Sequence, residues 1–404
     1  MDRVAESYVK LVLAVGQHDP DYVDAYYGPP EHRTEAEANK RPLAELRAEA
    51  TGLVSDLQSQ PASGDEMTRL RHQYLARQLE SMVARIDMLS GKKLSFDEES
   101  QALYGAVAPT YGADHFQRIL DQLEGLVPGE GPLPERIDRF REGFIIPKDK
   151  LDTVFRAAVA ECRRRTLEHV ELPPGESFEI EYVTGKSWSG YNWYKGGFHS
   201  LIQVNTDLPI YIDRAIDLAC HEGYPGHHVY NMLLEKHLVR DRGWPEFSVY
   251  PLFSPQSLIA EGTANYGIEV AFPGEERVRY EREKLFPLAG IDPSAADRFY
   301  EVHRLTQQLG YAGNEAARGY LNGTMTRQQA IDWLVRYGLF APARAEQRTK
   351  FFDQYRSYVI NYNFGQDLVR QYIERRGGTA DNPAKRWQEF EKLLASPRLP
   401  SGLM

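Results

Sequence analysis

Cysteine is almost missing from this chain of 404 residues, with only Cys162 and Cys220 present. Two thiols are too few for a disulfide framework or a thiolate zinc site, and Cys220 reads as a small buried helix residue. Long apolar runs are missing as well. The longest near the start, Leu11 to Val15, is too short to cross a membrane and follows no basic segment, so neither a membrane span nor a secretory signal is expected. The expected location is the cytoplasm. Positive charge is in deficit: the net charge is −10, and the one basic run, Arg163 to Arg165, has the length of a solvated helix face. Without a clustered basic surface the chain has no footprint for a nucleic-acid partner. Internal repeats and low-complexity tracts are also lacking, which argues against solenoids and linkers.

Helical periodicity is what the chain has most of. Apolar residues recur at three- and four-residue spacing over Met67 to Leu89, Leu151 to Val170, Gln328 to Tyr337 and Phe351 to Ile373. The fold class is therefore mainly α. Breaks at Gln60-Pro-Ala-Ser-Gly, Val127-Pro-Gly-Glu-Gly-Pro and Leu172-Pro-Pro-Gly divide the first half, and none is long enough to be a free linker. Residues 1–135 read as an N-terminal helical region and 136–404 as a catalytic region, together one continuous domain with a central cleft. Between Phe178 and Thr206 the pattern changes. Phe178, Ile180 and Tyr182 alternate with glutamates and lead through a glycine- and aromatic-rich stretch, so a small sheet or hairpin is expected beside the next helix. The segment Gly197 to Asn205 is placed as an edge strand or covering hairpin, with His199 at its surface, and Asp213 or a neighbour opens the helix.

His221 to His228, HEGYPGHH, gathers three of the eleven histidines and sets an acid after the first. Neutral imidazole is the commonest zinc ligand, and a carboxylate beside the activated water is the usual base of metal-assisted hydrolysis. Ile212, Ile216 and Ala219 form an apolar stripe, and at about 100° per residue His221 points away from it toward a cleft. The second histidine is a harder case. In an unbroken helix His227 would be turned away by about 120°, while His228 would keep the right face but lie roughly 10 Å along the axis. Pro225 removes a backbone donor and Gly226 tolerates unusual dihedrals, so a bulge or kink here would restore His227 to a usable register. The downstream stripe Tyr230, Leu233, Leu234 and Leu238 keeps the unbroken phase, which speaks for His228. A third ligand is expected from another helix. Glu261, in Ala260-Glu-Gly-Thr-Ala-Asn-Tyr266, is the candidate: Ser257 could cap its helix, Ile259 and Ala264 would face the core, and Asn265 either holds the carboxylate or is an ordinary surface residue. Tyr355, Tyr358 and Tyr362 are candidate oxyanion donors.

HEGYPGHH followed by EGTANY resembles the bacterial family called domain of unknown function 885, with its HE-x-x-P-G-H-[HYF] and E-G-[WT]-A-x-Y motifs. Thr324 to Asp332 and Asn363 to Gln366 resemble two further segments of that family. The family is similar in turn to the gluzincin peptidases, with a helical body like that of carboxypeptidase Taq. The resemblance implies a zincin-like fold, zinc at His221, His227 and Glu261, Glu222 as general base, and a peptide substrate. Tyr230, Thr263 and Phe364 depart from the family's usual glutamine, tryptophan and proline. A zinc hydrolase of a non-peptide amide or ester, and a non-catalytic helical scaffold binding a partner protein, are the alternatives.

Overall fold

The computed structural model describes residues 1–59 and 64–404, so the expected break at 60–64 falls almost wholly outside the described residues. The fold is mainly helical with two small sheets. Helices occupy Glu66–Leu89, Leu151–Leu167 and Arg327–Gly338, close to the expected bounds. The stretch from Phe351 to Ile373 is instead two helices, Pro342–Tyr355 and Ile360–Arg375, joined by a 3₁₀ turn. Arg356 takes a left-handed φ of 52° and stops the first of them. Apolar spacing continues across the break because both helices and the turn between them feed the same core.

One apolar core runs through the described chain, from Val4 in the N-terminal helix Asp2–Gly16 to Leu403. It therefore draws on residues from both sides of position 135. A smaller satellite surrounds Phe116.

The strands are β1 (Val23–Tyr26), β2 (Ser177–Val183), β3 (Gly190–Gly196), β4 (His199–Asn205) and β5 (Val249–Pro251). The segment from Phe178 to Thr206 forms a three-stranded sheet of order β2-β4-β3, parallel between β2 and β4 and antiparallel between β3 and β4. Gly197 to Asn205 thus belongs to a hairpin with β3, one of its two expected readings, and the other, an edge strand, is corrected. β4 is the central strand with both edges paired, and its Ser200, Ile202 and Val204 are buried. The pairing of β1 with β5, across more than two hundred residues, had no local signal.

Two helices form the floor of the site. Pro255–Ala271 and Ile360–Arg375 pack against each other where Gly262 meets Gly365. A Cβ on Gly262 would lie 2.5 Å from the Gly365 carbonyl oxygen, and one on Gly365 would lie 2.9 Å from that of Leu258. Both obstacles are backbone, so neither can be relieved by a side-chain rotation. Ser257 lies inside the first helix rather than capping it. Ser254 is the N-cap residue, and the Ser257 hydroxyl accepts from Tyr250 Oη at 3.0 Å while donating to the Leu252 carbonyl.

Gly262→Ala should push these helices apart and cost about 1–3 kcal/mol in denaturant unfolding. Gly52→Ala, in the exposed helix Leu43–Gln58 with nothing within 4 Å of the added Cβ, should instead gain about 0.5–1 kcal/mol. Equal effects from the two would show that the close approach carries no stability.

Candidate metal centre

The helix opened by Asp213 runs only to Leu218 and then widens into a π-turn over Ala219–Gly223. Such turns insert extra backbone into a helix and rotate the following side chains out of register. The chain leaves the helix at Tyr224, passes a cis Tyr224–Pro225 bond, and begins a new helix at His227 that ends at Leu234. Gly226 closes the junction. Its N–H donates to the Cys220 carbonyl at 2.9 Å, and a Cβ there would lie 1.9 Å from the His221 carbonyl oxygen, so only glycine fits.

This interruption decides which histidine meets which. His221 and His227 stand with ring planes at 85° and their Nε2 atoms 3.1 Å apart. Glu261 completes the group from the neighbouring helix, its Oε2 lying 3.2 Å from His221 Nε2 and 3.7 Å from His227 Nε2. One ligand atom from each of the three lies within 4.8 Å of the others, a grouping that could hold a metal ion. His228 goes elsewhere. It is fully buried, with Nδ1 2.8 Å from Ser200 Oγ on β4 and Nε2 3.0 Å from Glu176 Oε2, so both ring nitrogens are taken. The stripe of Tyr230, Leu233, Leu234 and Leu238 kept the phase of His228 because all five residues face the interior.

The surrounding hydrogen bonds orient the group. Asn265 donates from Nδ2 to the Tyr362 carbonyl at 2.9 Å, which leaves its Oδ1 to accept from His221 Nδ1 at 2.9 Å. With its proton on Nδ1, His221 turns an unprotonated Nε2 toward the centre. Asn265 thus holds the histidine and is neither a partner of the Glu261 carboxylate nor a free surface residue, because one helical turn beyond Glu261 brings it level with the imidazole. Tyr358 does hold the carboxylate, its Oη donating to Glu261 Oε1 at 2.7 Å. The other oxygen, Oε2, is buried without a hydrogen-bond partner among the described residues. Two facing imidazole nitrogens and an orphaned carboxylate oxygen fit a divalent cation such as zinc, which would satisfy all three.

Charge at the centre follows from burial and proximity. Burial opposes ionisation of Glu261, but His227 and His221 outweigh it and hold the carboxyl well below its usual range. Burial likewise disfavours the charged form of His227, yet Glu261, Glu222 and Asp24 raise it to about 9. Glu222 is pushed up by burial, against the pull of both histidines. Its carboxylate makes no protein hydrogen bond among the described residues and lies against Gly190 of β3, where a Cβ would come within 2.8 Å of Oε1. Asn192 fixes the backbone, donating from Nδ2 to the Glu222 carbonyl at 2.7 Å. These residues open on a cleft of about 1090 Å³, which Asp24 of β1 also lines. Sequence reasoning missed Asp24. It donates nothing by motif, and it reaches the cleft only through the β1–β5 pairing; burial raises its carboxyl to about 6 despite a hydrogen bond from Tyr191.

No family model matches the chain, and no curated protein matches it either. Among solved structures, a presumed lipoprotein from Colwellia psychrerythraea is similar with a TM-score of 0.55 at 16% identity, over 89% of this chain and 68% of that one. A presumed lipoprotein of unknown function from Shewanella oneidensis is similar with a TM-score of 0.50 at 13% identity, over 93% and 75%. At these identities the likeness concerns the fold alone. The M32 carboxypeptidase of Deinococcus radiodurans R1 aligns over 97% of this chain and 89% of its own, but at 13% identity and a TM-score of 0.37, too low to carry an argument. Among the described residues no helix is long and apolar enough to cross a membrane.

Glu176 anchors the turn between the two histidines. It accepts from Tyr224 Oη at 2.6 Å and from Arg163 Nη2 at 2.6 Å, besides its contact with His228. Burial raises its carboxyl, but the bonds from His228, Tyr224 and Arg163 win and lower it to about 2. A depressed carboxyl stabilises the fold at and above its ordinary pKa of 4.5 and loses that contribution as pH falls toward 2. Glu176→Gln should therefore cost roughly 3 kcal/mol at pH 7. The gap between variant and parent in chemical unfolding should shrink progressively below pH 4.5. A gap independent of pH down to 2 would place the stabilisation elsewhere.

Proposed function

We propose that this chain is a zinc-dependent peptidase of zincin-like fold, with His221, His227 and Glu261 holding the metal and Glu222 acting as general base. The observation that carries the reading is the convergence of two imidazole Nε2 atoms and an unpartnered carboxylate oxygen beside a second carboxylate that no protein group engages. A purely structural metal site has no use for Glu222. The motifs HEGYPGHH and EGTANY support membership of the family called domain of unknown function 885, on those residues alone. On this reading residues 136–404 supply the catalytic group and residues 1–135 close the cleft through Asp24, in one continuous domain.

When bound, zinc supplies Lewis acidity to the attacking water and to the scissile carbonyl. The protein does the rest. Glu222, desolvated and pointing into the cleft, takes the proton of the attacking water and passes it to the leaving amine. Asn265 and Tyr358 keep His221 and Glu261 in place, so the site does not need to reorganise. Of the three candidate tyrosines, Tyr358 is occupied by Glu261. Tyr362 makes no side-chain hydrogen bond among the described residues and lies within the fields of Glu261 and Glu222, which suits a donor to the developing oxyanion.

Metal analysis of the purified protein should find about one zinc per chain, lost in His227→Ala and Glu261→Ala and kept in His228→Ala. Full occupancy in His227→Ala would sink the assignment. With zinc loaded, Glu222→Gln should lower peptide hydrolysis by about 10²–10⁴. Tyr362→Phe should lower kcat by about 10²–10³. Hydrolysis of esters or non-peptide amides with no cleavage in a mixed peptide library would move the reading to the alternative hydrolase, and a fully active Glu222→Gln would remove the base whatever the substrate.

A further inference from the structure

Arginines line the cleft, and most of them are neutralised. Arg277 pairs with Asp217 and Glu281, Arg214 with Asp217, and Arg370 with Glu269 and Asp367. Arg348 has no such partner. On the helix Pro342–Tyr355 it makes neither a hydrogen bond nor an ion pair with any described residue, although it is half-buried in the cleft wall. Aromatic faces hold it instead: its guanidinium carbon lies 4.5 Å from the Phe351 ring centroid, 5.6 Å from that of Phe352 and 5.7 Å from that of Tyr362. These contacts hold the guanidinium among three rings and leave its N–H fork without a partner among the described residues.

The neighbourhood argues against a chance surface arginine. Burial disfavours the charge of Arg348, only partly offset by Tyr362 and Glu261, so a cation is kept where it is costly. One turn earlier, Arg344 also lacks a carboxylate and reaches only the Pro209 carbonyl at 3.4 Å. Burial and the like charges of Arg214 and Arg141 oppose its ionisation too. This wall of the cleft is therefore short of negative charge, in a chain whose net charge is −10. An anion arriving with the substrate would repair the deficit.

Resting on the peptidase reading, we propose that Arg348 receives the free α-carboxylate of a peptide, so that the enzyme removes residues from the carboxyl terminus. The position decides between carboxylates. Arg348 lines the same cleft as Glu261 and lies 5.7 Å from the Tyr362 ring, which stands 5.8 Å from the ring of Tyr358, the donor to Glu261. A carboxylate bound there belongs to the residue next to the scissile bond, which for an α-carboxylate is the terminal residue. Planar, bidentate recognition is what a guanidinium offers a carboxylate and an ammonium does not. Arg348 is thus a specificity-determining residue, and the rest of the cationic wall would favour acidic residues near that end.

The test uses the full chain and a library of N-acetylated tetrapeptides, prepared once with free carboxyl termini and once as carboxamides. The zinc-loaded parent should prefer the free acids in kcat/KM by roughly 10- to 100-fold, the range of a charge-assisted bidentate contact. Arg348→Met should bring that preference near unity, mainly through KM, and Arg348→Lys should recover only part of it. Binding supplies a readout that needs no turnover. Calorimetric titration of Glu222→Gln with the two libraries should show tighter binding of the acids, abolished when Arg348→Met is added, with the melting temperature of each variant confirming that it is folded. Equal cleavage of acids and amides by the parent would overturn the proposal while leaving the peptidase reading intact. Should the parent cleave neither library, that reading fails, and the titration alone decides Arg348: equal binding of acids and amides rejects it. A preference that survives Arg348→Met, or one that appears only with acidic side chains in the peptide, rejects it as well.

Discussion

The arrangement of the site depends on a helix that stops being regular between Ala219 and Gly226. A continuous α-helix would send His227 away from His221, and the polar group facing Glu261 would be His228 or none. The π-turn and the non-helical residues after it bring the two Nε2 atoms to 3.1 Å. The cost of leaving regular hydrogen bonding is offset locally. Gly226 closes the ladder onto Cys220, and Glu176 ties Tyr224 and His228 to Arg163 on the helix behind. His228 serves the same centre by staying out of it, because its two buried hydrogen bonds hold the start of the second helix against β4.

The second constraint is the depth at which Glu261 is presented. Gly262 and Gly365 let two helices touch backbone to backbone, and that closeness brings Tyr358 and the Tyr362 carbonyl to the Glu261 helix. Asn265 turns this packing into chemistry: one amide reads the position of the helix Ile360–Arg375 with its nitrogen and sets the tautomer of His221 with its oxygen. Stability and ligand geometry thus share the same contacts. A loosened helix pair would lose the orientation of two of the three groups at once.

Opposite this floor, β3 supplies the wall against Glu222. Gly190 leaves room for the carboxylate and Asn192 holds its backbone, so the candidate base is positioned by shape and by main chain, with its oxygens free. The cleft above it is lined by both signs of charge, among them Asp24 of β1 and the cationic Arg344 and Arg348 of the helix Pro342–Tyr355. A molecule lying across the three candidate ligands would meet both signs.

The sequence by itself determined the mainly helical class, the small sheet before the histidine segment, and the residue types of the site. Periodicity and ligand chemistry are local properties, and His221, Glu222, Pro225 and Gly226 are contiguous enough for a kink to be argued from them. What the sequence left open was whatever depended on contacts far along the chain. The choice of His227 over His228 could be argued both ways, since a stripe of apolar residues reports which side is buried and not where the backbone breaks. Neither reading of Asn265, partner of the carboxylate or surface residue, was right, β4 was left between an edge strand and a hairpin, and the periodicity over 351–373 gave no sign of the break at Arg356. Only the tertiary structure placed Asp24 and Arg348 on the cleft and made Tyr358, a candidate oxyanion donor by sequence, the partner of Glu261. No local pattern marks a residue whose role is set by packing between helices and strands that meet only after the chain has folded.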